Sequence, residues 1–319
     1  MVIDEKDVAT LLEAVKYFAD QDVSREFLVS LRWPDGIVCH RCGSDNIGFL
    51  TTRKLWKCRA CKKQFSVKVG SLFEDSPIGL DKWLPTLWLL VNCKNGVSSY
   101  EIARDIGVTQ ETAWFMLHRL RLALQVKSFD KIDGEVEIDE TYIGGKARNM
   151  HKGRKARVIT GTGGMGKVAV MGLLDRHGKD GHSTMRAGVV KSIGKKLLQA
   201  AVRANVEKDA SIFTDALASY EGLNQDYVHQ VIDHAERYVD GQVHTNGCEN
   251  FWSLLKRALK GTYVSVEPFH LFRYLDEQVY RFNNRKLSDA GRFLYAAASI
   301  FGKRLTYTAL TGKDLPQTC

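Results

Sequence analysis

Val136-Glu-Ile-Asp-Glu-Thr-Tyr-Ile-Gly-Gly145 alternates apolar and polar side chains from its first residue. A period of two marks a strand, because successive side chains of an extended chain point to opposite faces. Val136 and Ile138 then share one face, and Glu137, Asp139 and Thr141 the other. Downstream, Lys167-Val-Ala-Val-Met-Gly-Leu-Leu-Asp175 reads as a second strand and Ser183 to Val190 as a third. Ile193 to Asn205 fits a helix, Ser211-Ile-Phe-Thr-Asp215 is a short buried strand, and a helix follows from Gly247. The order strand, strand, strand, helix, strand, helix is that of a ribonuclease-H-like α/β domain, a mixed sheet with helices packed on it. No internal repeat interrupts it.

Three acids stand out in this frame. Asp139 lies inside the first strand, Asp215 ends the last one, and Glu249 opens Gly247-Cys-Glu-Asn-Phe-Trp-Ser-Leu-Leu-Lys-Arg-Ala-Leu-Lys260. At 100° per residue that helix sorts into Phe251, Leu254, Leu255 and Ala258 on one side and Glu249, Trp252, Ser253 and Lys256 on the other. Cutting a phosphodiester calls for two divalent ions about 3.5–4 Å apart, one at the attacking oxygen and one at the leaving oxygen. Carboxylates hold Mg2+ while leaving positions for water and substrate. A lysine two turns from the last carboxylate can pair with a DNA phosphate. Taken singly, each acid reads equally as a cap, a turn residue or half of a solvated pair.

Cys39-x2-Cys42, fifteen residues, then Cys58-x2-Cys61 is the spacing of a four-cysteine zinc site. Trp56-Lys57 and Gln64-Phe65-Ser66 read as the strands of the second knuckle. Four thiolates leave no open coordination position, so the zinc is structural; Cys93, Cys248 and Cys319 are left over. Forty-six Lys and Arg against thirty-seven Asp and Glu give +9, which favours a polyanionic partner. Eight cations and one acid lie between Cys39 and Lys68, and seven cations and no acid between Thr141 and Leu174. The second block, from Lys146 to Arg157, is expected to be a basic loop in which Lys152, Arg154, Lys155 and Arg157 touch DNA.

Before the sheet, Val8, Leu11, Leu12, Val15 and Phe18 recur at helical spacing, and Asp81 to Asn92 reads as a mostly buried helix. Ser98 to Arg121 is a helix-turn-helix candidate: Ser98 or Ser99 caps the first helix, Gly107 makes the turn and Thr109 caps the second. Its exposed side chains would include Gln110, Glu111, Trp114, His118, Arg119 and Arg121, with the two arginines as DNA contacts. Gly161-Thr-Gly-Gly-Met-Gly-Lys167 satisfies a dinucleotide string, but the next residues read as a strand, and phosphate-binding glycines need a helix there. No nucleotide cofactor is expected. The longest apolar stretch, Trp83 to Val91, is broken by Pro85 and Thr86 and falls short of the roughly 20 residues that span a bilayer. The start, Met1-Val-Ile-Asp-Glu-Lys, has no signal-peptide pattern, so a cytoplasmic protein with no membrane partner is expected.

Ile138-Asp-Glu-Thr-Tyr-Ile-Gly-Gly-Lys146, Thr214-Asp-Ala-Leu-Ala-Ser-Tyr220 and His244-Thr-Asn-Gly-Cys-Glu-Asn-Phe-Trp-Ser-Leu-Leu-Lys-Arg257 with Gly261-Thr-Tyr263 resemble the catalytic signatures of bacterial insertion-sequence transposases of the IS1595 group. Tyr274-Leu-Asp-Glu277, Arg281-Phe-Asn-Asn-Arg285 and the four-cysteine ribbon extend the likeness over most of residues 30 to 290. The resemblance implies a DDE-type domain with Asp139, Asp215 and Glu249 as ligands of two Mg2+ ions and Lys256 as the accompanying basic residue. Parts of the group are described with Asn as third ligand, which makes Asn246 a rival or supporting ligand; the Asp215-x33-Glu249 spacing suits Glu249. The chain is therefore expected to be multidomain α+β: a helical segment (1–30), a zinc ribbon (31–70), a helix-turn-helix domain (75–128), the catalytic domain (132–290) and a C-terminal extension (291–319). The implied activity is cleavage at terminal inverted repeats and strand transfer into target DNA by a homodimer or larger assembly, in the bacterial cytoplasm at the nucleoid. Two alternatives share these features, a zinc-ribbon regulator that binds without cutting and a ribonuclease-H-like nuclease that cuts without joining.

Overall fold

The computed structural model describes residues 4–125, 130–145, 150–159, 165–178, 180–215, 217–232 and 244–312. The chain divides into two compact units, residues 126–283 and a second unit made from both ends, 1–125 with 284–319.

The terminal unit opens with α1 (Leu11–Phe18) and α2 (Gln21–Arg32), capped by Thr10 and Asp20, whose side chains accept from first-turn N–H groups. A three-stranded antiparallel ribbon follows: β1 (Ile47–Leu50), β2 (Leu55–Cys58) and β3 (Gln64–Phe65). Trp56 and Phe65 pack edge-on to Trp33 at the end of α2, which gives this small sheet a core. Next come α3 (Leu80–Asn92), α4 (Ser99–Ile106) and α5 (Gln110–Ala123). Ser98 and Glu101 form a reciprocal capping box on α4. Gly107 then takes the left-handed backbone (φ 63°), and Thr109 caps α5.

The outer face expected of α5 is outer only at its start, where Glu111 is exposed and Gln110 and Trp114 are half-buried. His118, Arg119 (4% exposed) and Arg121 (1%) are buried. Arg119 Nη2 donates to the Glu74 carbonyl at 2.6 Å, and its guanidinium lies over Trp83 and Phe115. Charge alone suggests exposure, whereas a planar guanidinium can satisfy a loop carbonyl while its faces stack on rings. The exposure expected of Arg119 and Arg121 is therefore overturned, and neither guanidinium is presented on the surface. Lys68, one cation of the first basic block, is likewise committed inward, donating to the carbonyls of Ser76 and Ile78.

The internal unit contains β4 (Glu135–Ile143), α6 (Lys152–Val158), β5 (Val168–Asp175), β6 (Thr184–Val190), α7 (Lys195–Asn205), β7 (Ser211–Asp215), β8 (Val228–Ile232), α8 (Asn246–Ala258) and α9 (Leu271–Asn283). The sheet order is β6-β5-β4-β7-β8, antiparallel among the first three and parallel from β4 through β7 to β8. Val136 and Ile138 pack with Ile212, Leu198 and Val202 beneath α7. Each such side chain contributes about 1.5–3 kcal/mol on burial. Val170 and Leu174 pack with Phe251, Leu255 and Leu275 on the other face, under α8 and α9. Asn283 pins α9 to β6 by accepting from Met185 N–H (2.7 Å) and donating to its carbonyl (3.0 Å).

Three elements of this unit depart from the sequence expectation: the edge strand β8, α6 where a basic loop is expected, and α9, which follows the last expected helix. Gly161 to Gly164 lie outside the described residues, as do Lys146 and Arg148. The strand β5 begins just beyond the glycine run, so the glycines do not open a helix.

Finally, α10 (Asp289–Ala298) and α11 (Tyr307–Thr311) return to the terminal unit. Phe293 meets Phe18 and Phe27, with ring centroids 5.6 and 5.8 Å away, and Asn92 of α3 bonds both the Asp289 carbonyl and Arg292. The helical lead and the C-terminal extension thus share one core. Among the described residues, no helix is long and apolar enough to cross a membrane.

Candidate active site

The parallel register sets Val136 beside Ile212 and Glu137 beside Phe213. Two residues further along both strands, on the same face, stand Asp139 and Asp215. Asp215 is the last residue of β7, where its Oδ1 accepts from Leu217 N–H at 3.2 Å and turns the chain away from the sheet. Asp139 Oδ1 accepts from Glu140 N–H at 2.8 Å, and Oδ2 from Trp252 Nε1–H at 2.9 Å. Glu249 lies in the first turn of α8, which packs over this face.

A cleft of about 560 Å³ opens here. Asp139, Glu140 and Glu249 give it an acidic end, Trp252 and Ser253 continue along α8, and Lys256, Arg257 and Lys260 line it as cations. Asn246, the first residue of α8, is exposed and is not among the lining residues. Helical periodicity groups Trp252 with Glu249, Ser253 and Lys256, and it does line the cleft with them, but its indole is buried. Lys260 sits in the π-turn Leu259–Tyr263, and that turn is tied down by Tyr263 OH donating to buried Glu277, which also binds Arg281. The Tyr274–Glu277 and Arg281–Arg285 motifs therefore begin in α9, where Glu277 and Arg281 support the cleft wall.

Burial pushes the Asp139 carboxyl up to about 6, opposed by the Trp252 and Glu140 N–H groups and reinforced by the charges of Asp215 and Glu249. Burial pushes Glu140 further, to about 8, with Asp215 and Asp139 adding to it. Glu140 Oε1 is buried without a hydrogen-bond partner among the described residues. Sequence reasoning misses Glu140; the signal that could have found it is a second acid inside a strand otherwise expected to be buried. Carboxylate oxygens are the donors a hard divalent cation takes; among the described residues, however, the four cysteines alone bring three or more ligand atoms within 4.8 Å of one another, so the acids of the cleft stand farther apart than a closed metal site.

Lys152, Lys155 and Arg157 are exposed on α6, the helix that also carries Arg154. At the ribbon, the Sγ atoms of Cys39, Cys42, Cys58 and Cys61 all lie within 4.8 Å of one another. The Cys39–Cys61 and Cys42–Cys58 separations are 3.7 and 3.6 Å. Thiolates placed tetrahedrally at about 2.3 Å from one zinc stand about 3.8 Å apart. Gly43 and Lys62, each directly after a second cysteine, take left-handed backbone (φ 72° and 61°) and close the two knuckles. Cys61 N–H, donating to Cys58 Sγ, helps draw that thiol down to about 6, toward the thiolate that zinc requires.

Two family models match the chain: the ISXO2-like transposase domain over residues 131–283 and the transposase zinc-ribbon domain over residues 19–64. An uncharacterized protein in transposable element ISH50 of Halobacterium salinarum is 25% identical over 257 residues, 77% of this chain and 85% of that protein. An uncharacterized transposase-like protein of Haemophilus influenzae is 30% identical over 100 residues, 31% of this chain and 80% of that protein. With its four-cysteine ribbon joined to a mixed-sheet domain whose acids share one cleft, the chain belongs to the IS1595 family of transposases.

Proposed function

We propose that this chain is a DDE-type DNA transposase in which Asp139, Asp215 and Glu249 hold two Mg2+ ions. The observation that carries the reading is that Asp215 stands beside Asp139 on the neighbouring parallel strand, close enough for its charge to act on it, while Asp139, Glu249 and Lys256 line one cleft; Asp215 itself is not among the lining residues. The sheet order, with an antiparallel half joined to a parallel half at β4, supports a ribonuclease-H-like reading of the domain. Glu249 lines the cleft beside Asp139, which supports it as third ligand; Asn246 and Asp215 are both absent from the lining, so the lining alone does not decide against Asn246.

Bound there, Mg2+ supplies activation of the attacking oxygen and neutralises charge at the scissile phosphate. The chain's residues do the positioning. Lys256, Arg257 and Lys260 hold phosphates beside the acids, while the buried Trp252 fixes one Asp139 oxygen. In the first step a water oxygen bonds to phosphorus as the P–O3′ bond breaks, leaving a 3′-OH on the transposon end. In the second, that 3′ oxygen attacks a target phosphodiester and displaces the target's own 3′ oxygen. The exposed ribbon cations Arg53, Lys57, Arg59, Lys62 and Lys63, with α4 and α5 as a helix-turn-helix, would read the terminal inverted repeats. The α6 cations would hold flanking or target DNA, and two ends handled together imply a dimer or larger assembly working at the bacterial nucleoid.

The test is cleavage and joining of a labelled end duplex with Mg2+ or Mn2+. Asp139→Asn, Asp215→Asn and Glu249→Gln should each lower both steps by about a thousandfold or more while end binding survives. Full activity in Asp139→Asn or Asp215→Asn would overturn the assignment. A larger loss in Asn246→Ala than in Glu249→Gln would move the third ligand to Asn246.

A further inference from the structure

Glu137 precedes Asp139 by two residues on β4 and so points to the same face, yet it does not line the cleft. It is 2% exposed. A carboxylate so placed needs strong partners, and Glu137 has them on two sides. Its Oε2 accepts from the N–H groups of Gly247 (2.8 Å) and Cys248 (3.1 Å), in the first turn of α8. Its Oε1 accepts from Arg176 Nε at 2.9 Å and faces His244 Nδ1 at 3.2 Å. Arg176 Nη2 in turn donates to the His244 carbonyl at 2.8 Å, tying down the residues that lead into α8. The first-turn N–H groups of a helix carry its partial positive charge, so a buried anion there is bound by both charge and hydrogen bonds.

The fit is close enough to dictate a neighbour. A Cβ on Gly247 would lie 2.8 Å from Glu137 Oε2 and 3.0 and 3.1 Å from the Leu174 methyls. Only glycine lets the helix start sit this near the strand.

We propose that Glu137 is a positioning residue, which locks the first turn of α8 to β4 and thereby sets Glu249 against Asp139. The geometry is direct: Glu249 comes straight after Cys248, whose N–H Glu137 holds, and Asp139 stands next along the same face of β4. Arg176 and Gly247 belong to the same lock. The proposal rests on the two-metal reading of the site, since the distance it sets is that between two metal ligands. Residues that orient metal ligands in this way cost about 10- to 100-fold in metal affinity when replaced.

The experiment compares the full-length wild type with Glu137→Gln, which keeps the volume but places an amide where Arg176 and His244 expect an anion, and with Gly247→Ala, which keeps the Glu137 charge but sets a Cβ 2.8 Å from its Oε2 and so pushes the helix start away. Hydrogen exchange of peptides covering 246–256 reads the lock, and Mn2+ binding followed by electron paramagnetic resonance reads the site. Both variants should exchange faster at the start of α8 and bind Mn2+ about 10- to 100-fold more weakly, with cleavage recovering at high Mn2+. Asp139→Asn should instead lose Mn2+ without faster exchange. Faster exchange with unchanged Mn2+ affinity would reduce Glu137 to a purely structural role, and unchanged exchange would remove the lock; either overturns the proposal. Should Glu137→Gln not fold, Gly247→Ala alone decides on the same two readouts. A wild type that binds no Mn2+ at this cleft would overturn the metal reading itself, and the positioning role with it.

Discussion

Trp252 donates its indole N–H to Asp139 Oδ2 at 2.9 Å, and it reaches that oxygen because Gly172, directly opposite Asp139 on β5, has no side chain. A Cβ at 172 would stand 2.7 and 2.9 Å from the Trp252 ring carbons. Gly172→Ala should therefore displace the indole and cost about 1–3 kcal/mol, the usual range for overfilling a packed site. Thermal melting of the purified variant checks this. Trp252→Phe, which keeps a ring but removes the donor, should raise the pH at which Asp139 ionises and shift the acid limb of the cleavage profile upward.

The two perturbed acids give stability a definite pH dependence. Asp139 is raised to about 6 and Glu140 to about 8, so the folded chain binds protons more tightly than the unfolded chain does. Their contribution is most favourable while both are protonated, at the acid end. It is lost as pH rises from the normal carboxylate range through about 6 and then about 8. Glu140→Gln should flatten the melting-temperature profile from the normal carboxylate range up to about pH 8, removing the slope between about 6 and 8 and leaving below about 6 only the part that Asp139 contributes. An unchanged slope there would mean that Glu140 titrates normally.

Periodicity reveals β4 because its two faces differ in kind: Val136 and Ile138 enter one core, while Glu137 and Asp139 face α8. β8 stays hidden because Val228-His-Gln-Val-Ile is a short edge strand with Val228 and Val231 half exposed, which leaves no clean alternation. The joining of the two chain ends is hidden too, since Phe293 meets Phe18 only through tertiary packing. At the site, the acids are legible by type and spacing. The role of Glu137 is not, because its partners Arg176, His244 and Gly247 come from separate stretches of chain.

Burial on α5 separates structure from recognition. Arg119→Met would leave the Glu74 carbonyl without its donor and should cost about 1–3 kcal/mol of stability. DNA affinity of the folded variant should be unchanged. Lys62 and Lys63 are exposed beside the second knuckle. The double change to Gln should reduce the salt slope of binding by about 0.9 for each phosphate no longer neutralised. Salt titrations of both variants on one end duplex distinguish the two roles; a weaker slope in Arg119→Met would return Arg119 to the DNA interface.

Zinc removal tests how the two units depend on one another. The ribbon's own core is Trp56 and Phe65 against Trp33, a few rings that cannot offset the conformational entropy of some thirty residues unless the four thiolates are cross-linked by metal. The 126–283 unit has two apolar layers of its own, one on each face of its sheet. Cys58→Ser, or chelation of the wild type, should therefore unfold the ribbon and abolish selection of the terminal repeat, while the 126–283 unit keeps its melting transition and its Mn2+ binding. Metal analysis should find one tightly held zinc in the wild type and none in the variant. A variant that lost zinc yet still preferred the repeat duplex over random sequence would remove the ribbon from end recognition and leave α4 and α5 to carry it.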